Sequence, residues 1–337
     1  PFFLLYSLYR PHAPLVVPED VERPCVDNLP PLEWNEQDLA STPSLRQRIA
    51  FMNNNQDNAY NTGLDIARAY AADPELSREP GRTKEVNSYN KFRLDYFRSI
   101  SYVDRYVGKM MDKLEVLGHK EDTMIVFTSD HGDMLGERGL WYKMHWFEMA
   151  ARVPLLVYAP GQFAAGRVSA AVSTADLLPT LVELAGGELD SRLPLDGRSL
   201  VPHLQGQGGH DEVFGEYMAE GTISPLMMIR RGAYKFIYSE DDPCLLFDVH
   251  NDPHERENLS QSPEHRPLFE AFLQEARAKW DIPAIHQQVL ASQRRRRLVF
   301  EALTHGKLKS WDHQPLVDAS QQYMRNHIDL DDLERKA

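Results

Sequence analysis

The chain has 337 residues, of which 42% are hydrophobic and 26% are charged, a balance that is ordinary for a soluble globular protein. Its 50 acidic residues outnumber its 37 lysines and arginines, and the resulting net charge of −13 argues against nucleic acid as a partner. The two cysteines stand in no paired motif, which favours a reducing, cytoplasmic location, and no apolar stretch approaches the ~20 residues that span a membrane.

The first predicted element is a strand at residues 2–8, an unbroken apolar run that is typical of the centre of a sheet. Because a protein rarely begins inside its core sheet, we expect residues upstream of Pro1 to belong to the same fold. A proline-containing turn follows at 10–14. Residues 17–60 are rich in proline, asparagine and acidic side chains without a sustained period, which predicts a long surface excursion.

The middle of the chain alternates helices with strands. Apolar residues at three- and four-residue steps predict an amphipathic helix over 88–117, which Gly118 ends. Buried strands are predicted at 123–128 and 153–158, and a helix at 176–185. This alternation indicates an α/β fold with a mostly parallel sheet flanked by helices.

The pattern of apolar and polar residues changes after Gly206. Short apolar runs separated by turn residues predict antiparallel hairpins, and a helix is expected at 263–281. We therefore divide the chain into a larger α/β unit over 1–205, a smaller antiparallel α+β subdomain over 206–285, and a tail over 286–337. The tail is predicted to be helical at first, with the four arginines at 294–297 on a solvated helix face.

The chemistry-bearing residues follow the strand predicted at 123–128. Asp130 and His131 come directly after it, Gly132 follows, and a cation, Lys143, lies eleven residues beyond. A carboxylate, an imidazole and an ammonium group at a strand end suit an anion held on a metal ion. Taken alone, the same residues also fit a capped turn, a core histidine and a surface lysine.

Residues 130–144 resemble the second metal-binding motif of the sulfatases, which belong to the alkaline phosphatase superfamily, and the Gly-Leu-Trp-Tyr-Lys-Met segment is most similar to choline sulfatases. Further segments carry the resemblance: the Pro-His turn at 10–14, the helix at 101–108, 152–155, 176–180, 246–259 and the tail at 293–326. The resemblance implies an alkaline-phosphatase-like fold and the hydrolysis of choline O-sulfate, a small sulfate ester.

The resemblance also implies roles for particular side chains. Asp130 and His131 would bind a divalent metal, with Ca²⁺ preferred over Mn²⁺ or Mg²⁺ because hard ions favour oxygen ligands. Lys143 would contact the sulfate group, and His12 would give a proton to the departing alkoxide.

Choline requires a different kind of contact, because its quaternary nitrogen offers no hydrogen-bond donor and calls for aromatic faces and a carboxylate. The resemblance indicates Glu220 as a substrate-facing acid, and Asp329 as a tail acid that reaches into a neighbouring subunit of a homo-oligomer. The aromatic candidates near the metal motif are Trp141, Tyr142, Trp146 and Phe147.

The sulfatase nucleophile is a formylglycine made from the cysteine or serine of a Cys/Ser-x-Pro/Ala-x-Arg motif. Neither Cys25 nor Cys244 lies in such a motif, and in the near match at 41–46 the arginine comes one position late. The formylglycine and further metal ligands are therefore expected upstream of residue 1, and the chain alone is expected to be inactive. Two alternatives stay open: a phosphonate or phosphate monoester hydrolase of the same superfamily, and an inactive fragment that serves as a binding or assembly module.

Overall fold

The computed structural model describes residues 2–12, 15, 17–18, 20–21, 29, 84–190, 192–219 and 222–306; of residues 84–91, 139 and 141 it describes the backbone alone. The chain begins with an extended segment, residues 2–9, whose phenylalanine and leucine side chains are exposed. The central strand predicted at 2–8 is thus contradicted, since a strand needs a hydrogen-bonded neighbour and no described residue supplies one.

The first helix, α1, runs over Lys84–Val116, in agreement with the predicted helix. It ends at Gly118, whose φ is 71°. There the amide of His119 donates to the carbonyl of Leu114 at 2.9 Å, and that of Gly118 to the carbonyl of Glu115 at 2.9 Å. These two bonds form a Schellman end, so glycine was the right residue from which to predict the stop.

Two short antiparallel sheets follow α1. In the first, β1 (Ile125–Thr128) pairs with β4 (Leu155–Tyr158). In the second, β2 (Met134–Leu135) pairs with β3 (Trp141–Tyr142). The helix α2 (Glu148–Ala151) follows β3 and precedes β4 in the sequence. Every pairing within the described residues is antiparallel, so the mostly parallel sheet stays a prediction.

The helix predicted at 176–185 is present, and a second, short helix that the sequence analysis did not predict follows it. A 3₁₀ turn over Thr174–Asp176 leads into α3 (Leu177–Leu184), and a short helix α4 covers Val201–Leu204. Asp176 closes the capping box with Ser173, which is why the helix begins there.

The smaller subdomain contains a four-stranded antiparallel sheet in the order β5-β6-β7-β8, which confirms the predicted hairpins. The strands are β5 (Glu212–Tyr217), β6 (Leu226–Arg231), β7 (Tyr234–Tyr238) and β8 (Leu245–Asp248). Two helices follow, α5 (Arg266–Lys279) and α6 (Ile282–Thr304). No helix in the described ranges is both apolar enough and long enough to cross a membrane.

The four-stranded sheet is buried on both faces. One face packs against α5 through a cluster that includes Ile229, Phe236 and Phe272. The other face packs against the β2–β3 hairpin and α2, where Met228 and Phe247 share a cluster with Met134. The smaller subdomain therefore supplies half of the core beneath the residues that carry the metal motif.

Candidate functional site

The Asp-His-Gly loop at residues 130–132 is held against α2 at its glycine. The amide of Gly132 donates to the carbonyl of Ala150 at 2.8 Å. A Cβ atom at position 132 would lie 2.2 Å from the carbonyl oxygen of Met149, so only glycine permits this approach. The loop that carries Asp130 and His131 is thus positioned by backbone contact with the helix that follows.

Asp130 and His131 present adjacent oxygen and nitrogen atoms. The Asp130 side chain is 87% exposed, that of His131 is 30% exposed, and Oδ2 lies 3.7 Å from Nε2. The Nδ1 atom of His131 lies 2.8 Å from the Gly132 carbonyl. Because a carbonyl only accepts, Nδ1 carries the hydrogen of this bond, and Nε2 is the ring nitrogen that remains for a metal ion when the ring is neutral.

The ionised form of Asp130 is favoured by its surroundings. Its partial burial raises the pKa, but His131 and the backbone amides of Asp130 and His131 outweigh this, and the pKa falls below its ordinary value. An ionised carboxylate beside an imidazole with a free Nε2 fits one side of a divalent metal site. Among the described residues no cluster of three or more His, Cys, Asp or Glu could complete it.

A second carboxylate, Asp133, connects the loop to α1 and lies near three basic side chains. Its Oδ2 accepts a hydrogen bond from the Tyr96 hydroxyl at 2.7 Å. Burial raises the pKa of Asp133, while the Tyr96 bond and the nearby His131, Lys143 and His12 oppose the rise. Burial also raises the pKa of Tyr96, so this hydroxyl stays protonated and donating.

His12 and Asp133 line a small recess that is partly open to solvent. Its remaining lining is mostly aromatic and apolar: Pro11, Leu15, Phe92, Tyr96, Leu135 and Tyr142. The recess joins the Pro-His turn to the metal-motif hairpin. The predicted site residues His12, His131 and Lys143 all lie near enough to Asp133 to lower its pKa against the effect of burial, although their functional roles stay predictions.

The backbone around Lys143 is strained. Tyr142 and Met144, on either side of it, have φ values of 66° and 83°, and Arg138 in the hairpin turn has 55°. Residues other than glycine rarely adopt this left-handed backbone conformation, which costs on the order of 1–3 kcal/mol for each residue. Such a segment persists only where its surroundings determine its conformation.

The aromatic candidates divide into different environments. Phe147 is 1% exposed and stacks on His145 with 4.0 Å between ring centroids, so it belongs to the core and cannot face a ligand. Trp146 is also packed: its Nε1 donates to the Leu226 carbonyl at 2.9 Å. Tyr142 lines the recess, and the side chain of Trp141 lies outside the described residues.

Two predicted substrate residues, Glu220 and Asp329, lie outside the described residues, as do residues 307–337 of the tail. Conversely, sequence reasoning did not single out Asp133 or Tyr96. Asp133 could have been found from its place two residues after His131, whereas Tyr96 read as one of the apolar positions of α1.

Comparisons with known proteins were made for the whole chain. The family model described as "Sulfatase" matches residues 1–187. A model described as "Choline sulfatase enzyme C terminal" matches residues 287–337. A third, "N-sulphoglucosamine sulphohydrolase, C-terminal", matches residues 136–279.

Individual proteins agree with these matches. The choline-sulfatase of Rhizobium meliloti (strain 1021) is 46% identical over 246 residues, which cover 72% of this chain and 48% of the relative. Human iduronate 2-sulfatase is 30% identical over 239 residues, covering 61% of this chain and 41% of the relative. The chain thus spans about half the length of the curated relatives that it matches.

A solved structure gives a similar result for the fold. The phosphonate monoester hydrolase from Silicibacter pomeroyi superposes with a TM-score of 0.63 at 26% sequence identity. The match covers 81% of this chain and 55% of that chain. The α/β fold of the alkaline phosphatase superfamily is therefore common to this chain and its structural neighbours.

Proposed function

The chain belongs to the sulfatase family, and from this premise we propose that the protein hydrolyses choline O-sulfate to choline and sulfate. The observation that carries the substrate is the match of residues 287–337 to the C-terminal segment of choline sulfatases. The 46% identity to the choline-sulfatase of Rhizobium meliloti supports it.

In this proposal each described residue acts on one part of the ester. Lys143 neutralises charge on the sulfate oxygens, which a fixed ammonium group does best where charge develops in the transition state. His12 gives a proton to the departing choline oxygen, because an imidazole can be charged or neutral near neutral pH. Asp133 attracts Lys143 and His12 electrostatically, and the Tyr96 hydroxyl fixes Asp133 by a hydrogen bond.

Asp130 and His131 would bind the divalent metal, which we propose to be Ca²⁺, through the Asp130 carboxylate and Nε2 of His131. When bound, such an ion neutralises sulfate charge and lowers the pKa of an oxygen nucleophile. The proposed formylglycine and the remaining metal ligands come from a segment outside residues 1–337, since this sequence contains no Cys-x-Pro-x-Arg motif.

Two further parts of the proposal concern the assembly and its location. We propose a homo-oligomer in which Asp329 of one tail, together with Glu220, approaches the choline nitrogen in a neighbouring subunit. The paucity of cysteines favours a reducing compartment and hence the cytoplasm. The division into units over 1–205, 206–285 and 286–337 also stays a proposal.

The experiment that tests the function measures sulfate release from choline O-sulfate by the full-length protein, in which residues 1–337 are joined to the proposed segment that carries the formylglycine. The same full-length protein is used in every activity test of a variant below. Phenyl phosphonate monoester is offered in parallel, because phosphonate monoester hydrolases are structural neighbours of this chain. We expect kcat/KM to be higher for choline O-sulfate. Faster turnover of the phosphonate would replace the proposed substrate with the alternative one, and turnover of neither would favour a binding or assembly module.

A further inference from the structure

We propose that a buried ion cluster in the smaller subdomain, formed by Lys235 and Glu255 with Glu148 of α2, positions Lys143 for sulfate-ester hydrolysis. This inference rests on the proposed function for the role of Lys143. The three side chains are called the buried ion cluster below. They are positioning residues, since none of them lines the recess at His12 and Asp133.

The buried ion cluster is centred on the ammonium group of Lys235, whose side chain is 1% exposed. Its Nζ lies 2.7 Å from Oε1 of Glu148 and 2.5 Å from Oε1 of Glu255, and it donates to the Trp146 carbonyl at 2.6 Å. The Trp146 carbonyl and the Glu148 carboxylate accept hydrogen bonds from the ammonium group, whereas Glu255 contacts it as an ion pair. The amide of Glu148 also donates to Oε2 of Glu255 at 2.8 Å, so the two carboxylates are tied together.

The cluster holds the metal-motif segment on both sides of Lys143. Trp146, three residues after Lys143, is bound through its carbonyl to Lys235. Arg138, five residues before Lys143, donates from Nη2 to the backbone carbonyl of Glu255. Its guanidinium also lies 4.3 Å from the ring centroid of Phe147. Residues 138–146 are therefore anchored at both ends to the smaller subdomain.

This double anchor explains how the strained backbone beside Lys143 is maintained. Tyr142 and Met144 adopt left-handed conformations that an unrestrained segment would leave. Burying two carboxylates and an ammonium group carries a large desolvation cost, and apolar side chains would stabilise the fold at least as well. What the ions add is a fixed geometry, since each contact has a narrow range of distances and directions.

The same sheet provides a matched control on its opposite face. Arg231 on β6 lies next to Tyr234 in the β6–β7 register, and its Nη2 is 2.7 Å from Glu212 and 2.7 Å from Glu275 of α5. Because neighbouring residues of a strand point to opposite faces, Lys235 faces the metal-motif hairpin while Arg231 faces α5. Arg231→Met removes a cation from the sheet without touching the hairpin.

The test compares Lys235→Met with Arg231→Met in the purified protein. Amide hydrogen exchange over residues 134–148 is measured without substrate, and kcat and KM are measured for choline O-sulfate. In Lys235→Met we expect exchange over this segment to be about tenfold faster, as for a locally released unit. We expect kcat to fall roughly 100-fold, because displacing a catalytic group by about 1 Å costs that much. Arg231→Met is expected to alter neither quantity more than about twofold.

If Lys235→Met does not fold, the double variant Lys235→Met, Glu255→Gln removes the unpaired buried charge and is expected to give the same two changes. Equal exchange over 134–148 in the cluster variant and in Arg231→Met overturns the inference. So does faster exchange with an unchanged kcat, because the cluster would then be structural only. A wild-type protein that does not hydrolyse choline O-sulfate contradicts the proposed function instead, and this outcome is separate because exchange needs no substrate.

Discussion

At the scale of single residues, Lys143 combines a strained backbone with a place beside the buried carboxylate of Asp133. We expect Lys143→Ala to lower kcat/KM for choline O-sulfate by roughly 10²–10³-fold, as when one group that stabilises transition-state charge is removed. Steady-state kinetics measures this. Lys113→Ala, on the exposed part of α1, is the control and should retain full activity. A loss of less than about fivefold in Lys143→Ala would remove Lys143 from the mechanism.

Gly132 gives a prediction about stability. In Gly132→Ala the new Cβ would lie 2.2 Å from the Met149 carbonyl, so the loop or α2 must move. We expect the free energy of unfolding to fall by about 1–3 kcal/mol, as for other overpacked sites, and this is measured by urea denaturation.

The control for that variant is Gly108→Ala, where a Cβ meets nothing within 4 Å inside α1. It should stabilise the helix by about 0.5–1 kcal/mol, because alanine loses less conformational freedom than glycine. If Gly132→Ala were as stable as Gly108→Ala, the close approach of the loop to α2 could not be what fixes Asp130 and His131.

The residues that the sequence predicts well are those whose chemistry is local. The loop position of Asp130 and His131 after a strand was predicted from local sequence, and their roles and that of Lys143 stay predictions. Tyr96 could not be assigned, because its hydroxyl reaches Asp133 across 37 positions of sequence. Phe147 was one of four aromatic candidates for a choline contact, and it is a core residue, since the sequence does not tell on which side of a hairpin the smaller subdomain packs.

At the scale of elements, the sequence predicts helix ends and hairpins where nearby residues determine them. Gly118 ends α1, Ser173 begins the turn before α3 in a capping box with Asp176, and the short runs between 212 and 248 pair as hairpins. The segment at 2–8 has the composition of a strand but no partner within the described residues. The composition of this segment therefore predicted its tendency to form a strand. Whether it pairs depends on which other strands are present.

The ion pairs between β5 and β6 give a pH-dependent prediction. The hydrogen bonds from Arg231 lower the pKa of Glu212, and Arg198 lowers it further. Partial burial raises this pKa but is outweighed. Because the folded pKa lies below the unfolded one, the stabilisation is complete above the ordinary glutamate pKa and is lost as the pH falls through the folded value.

We therefore expect Glu212→Gln to lower the free energy of unfolding by about 1 kcal/mol at neutral pH, with the gap closing below about pH 4. Urea denaturation at the two pH values measures the gap. Glu264→Gln, at an exposed position before α5, is the control and should show no gap at either pH. A gap that persists or grows in acid would mean that Glu212 acts through packing rather than through charge.

At the scale of the whole molecule, the smaller subdomain is part of the site's support rather than an appendage. One face of its sheet packs on α5, and the other packs on the hairpin that carries the metal motif. The sequence predicted two units because the pattern of apolar runs changes at Gly206. That pattern does not tell which surfaces of the two units meet. The anchor between Lys235 and Glu148 joins residues 87 positions apart and could be found only from the structure.

The last prediction concerns residues 1–337 produced by themselves. The described residues place the two proposed metal ligands, Asp130 and His131, next to each other, and the whole sequence lacks the motif that would become formylglycine. We expect this chain to release no sulfate from choline O-sulfate above background, because a held anion without a nucleophile is not hydrolysed. Circular dichroism should still report the four-stranded sheet and its helices, which shows that inactivity is not unfolding. Sulfate release that Lys143→Ala abolishes would contradict the expectation, and it would mean that a nucleophile exists among these 337 residues.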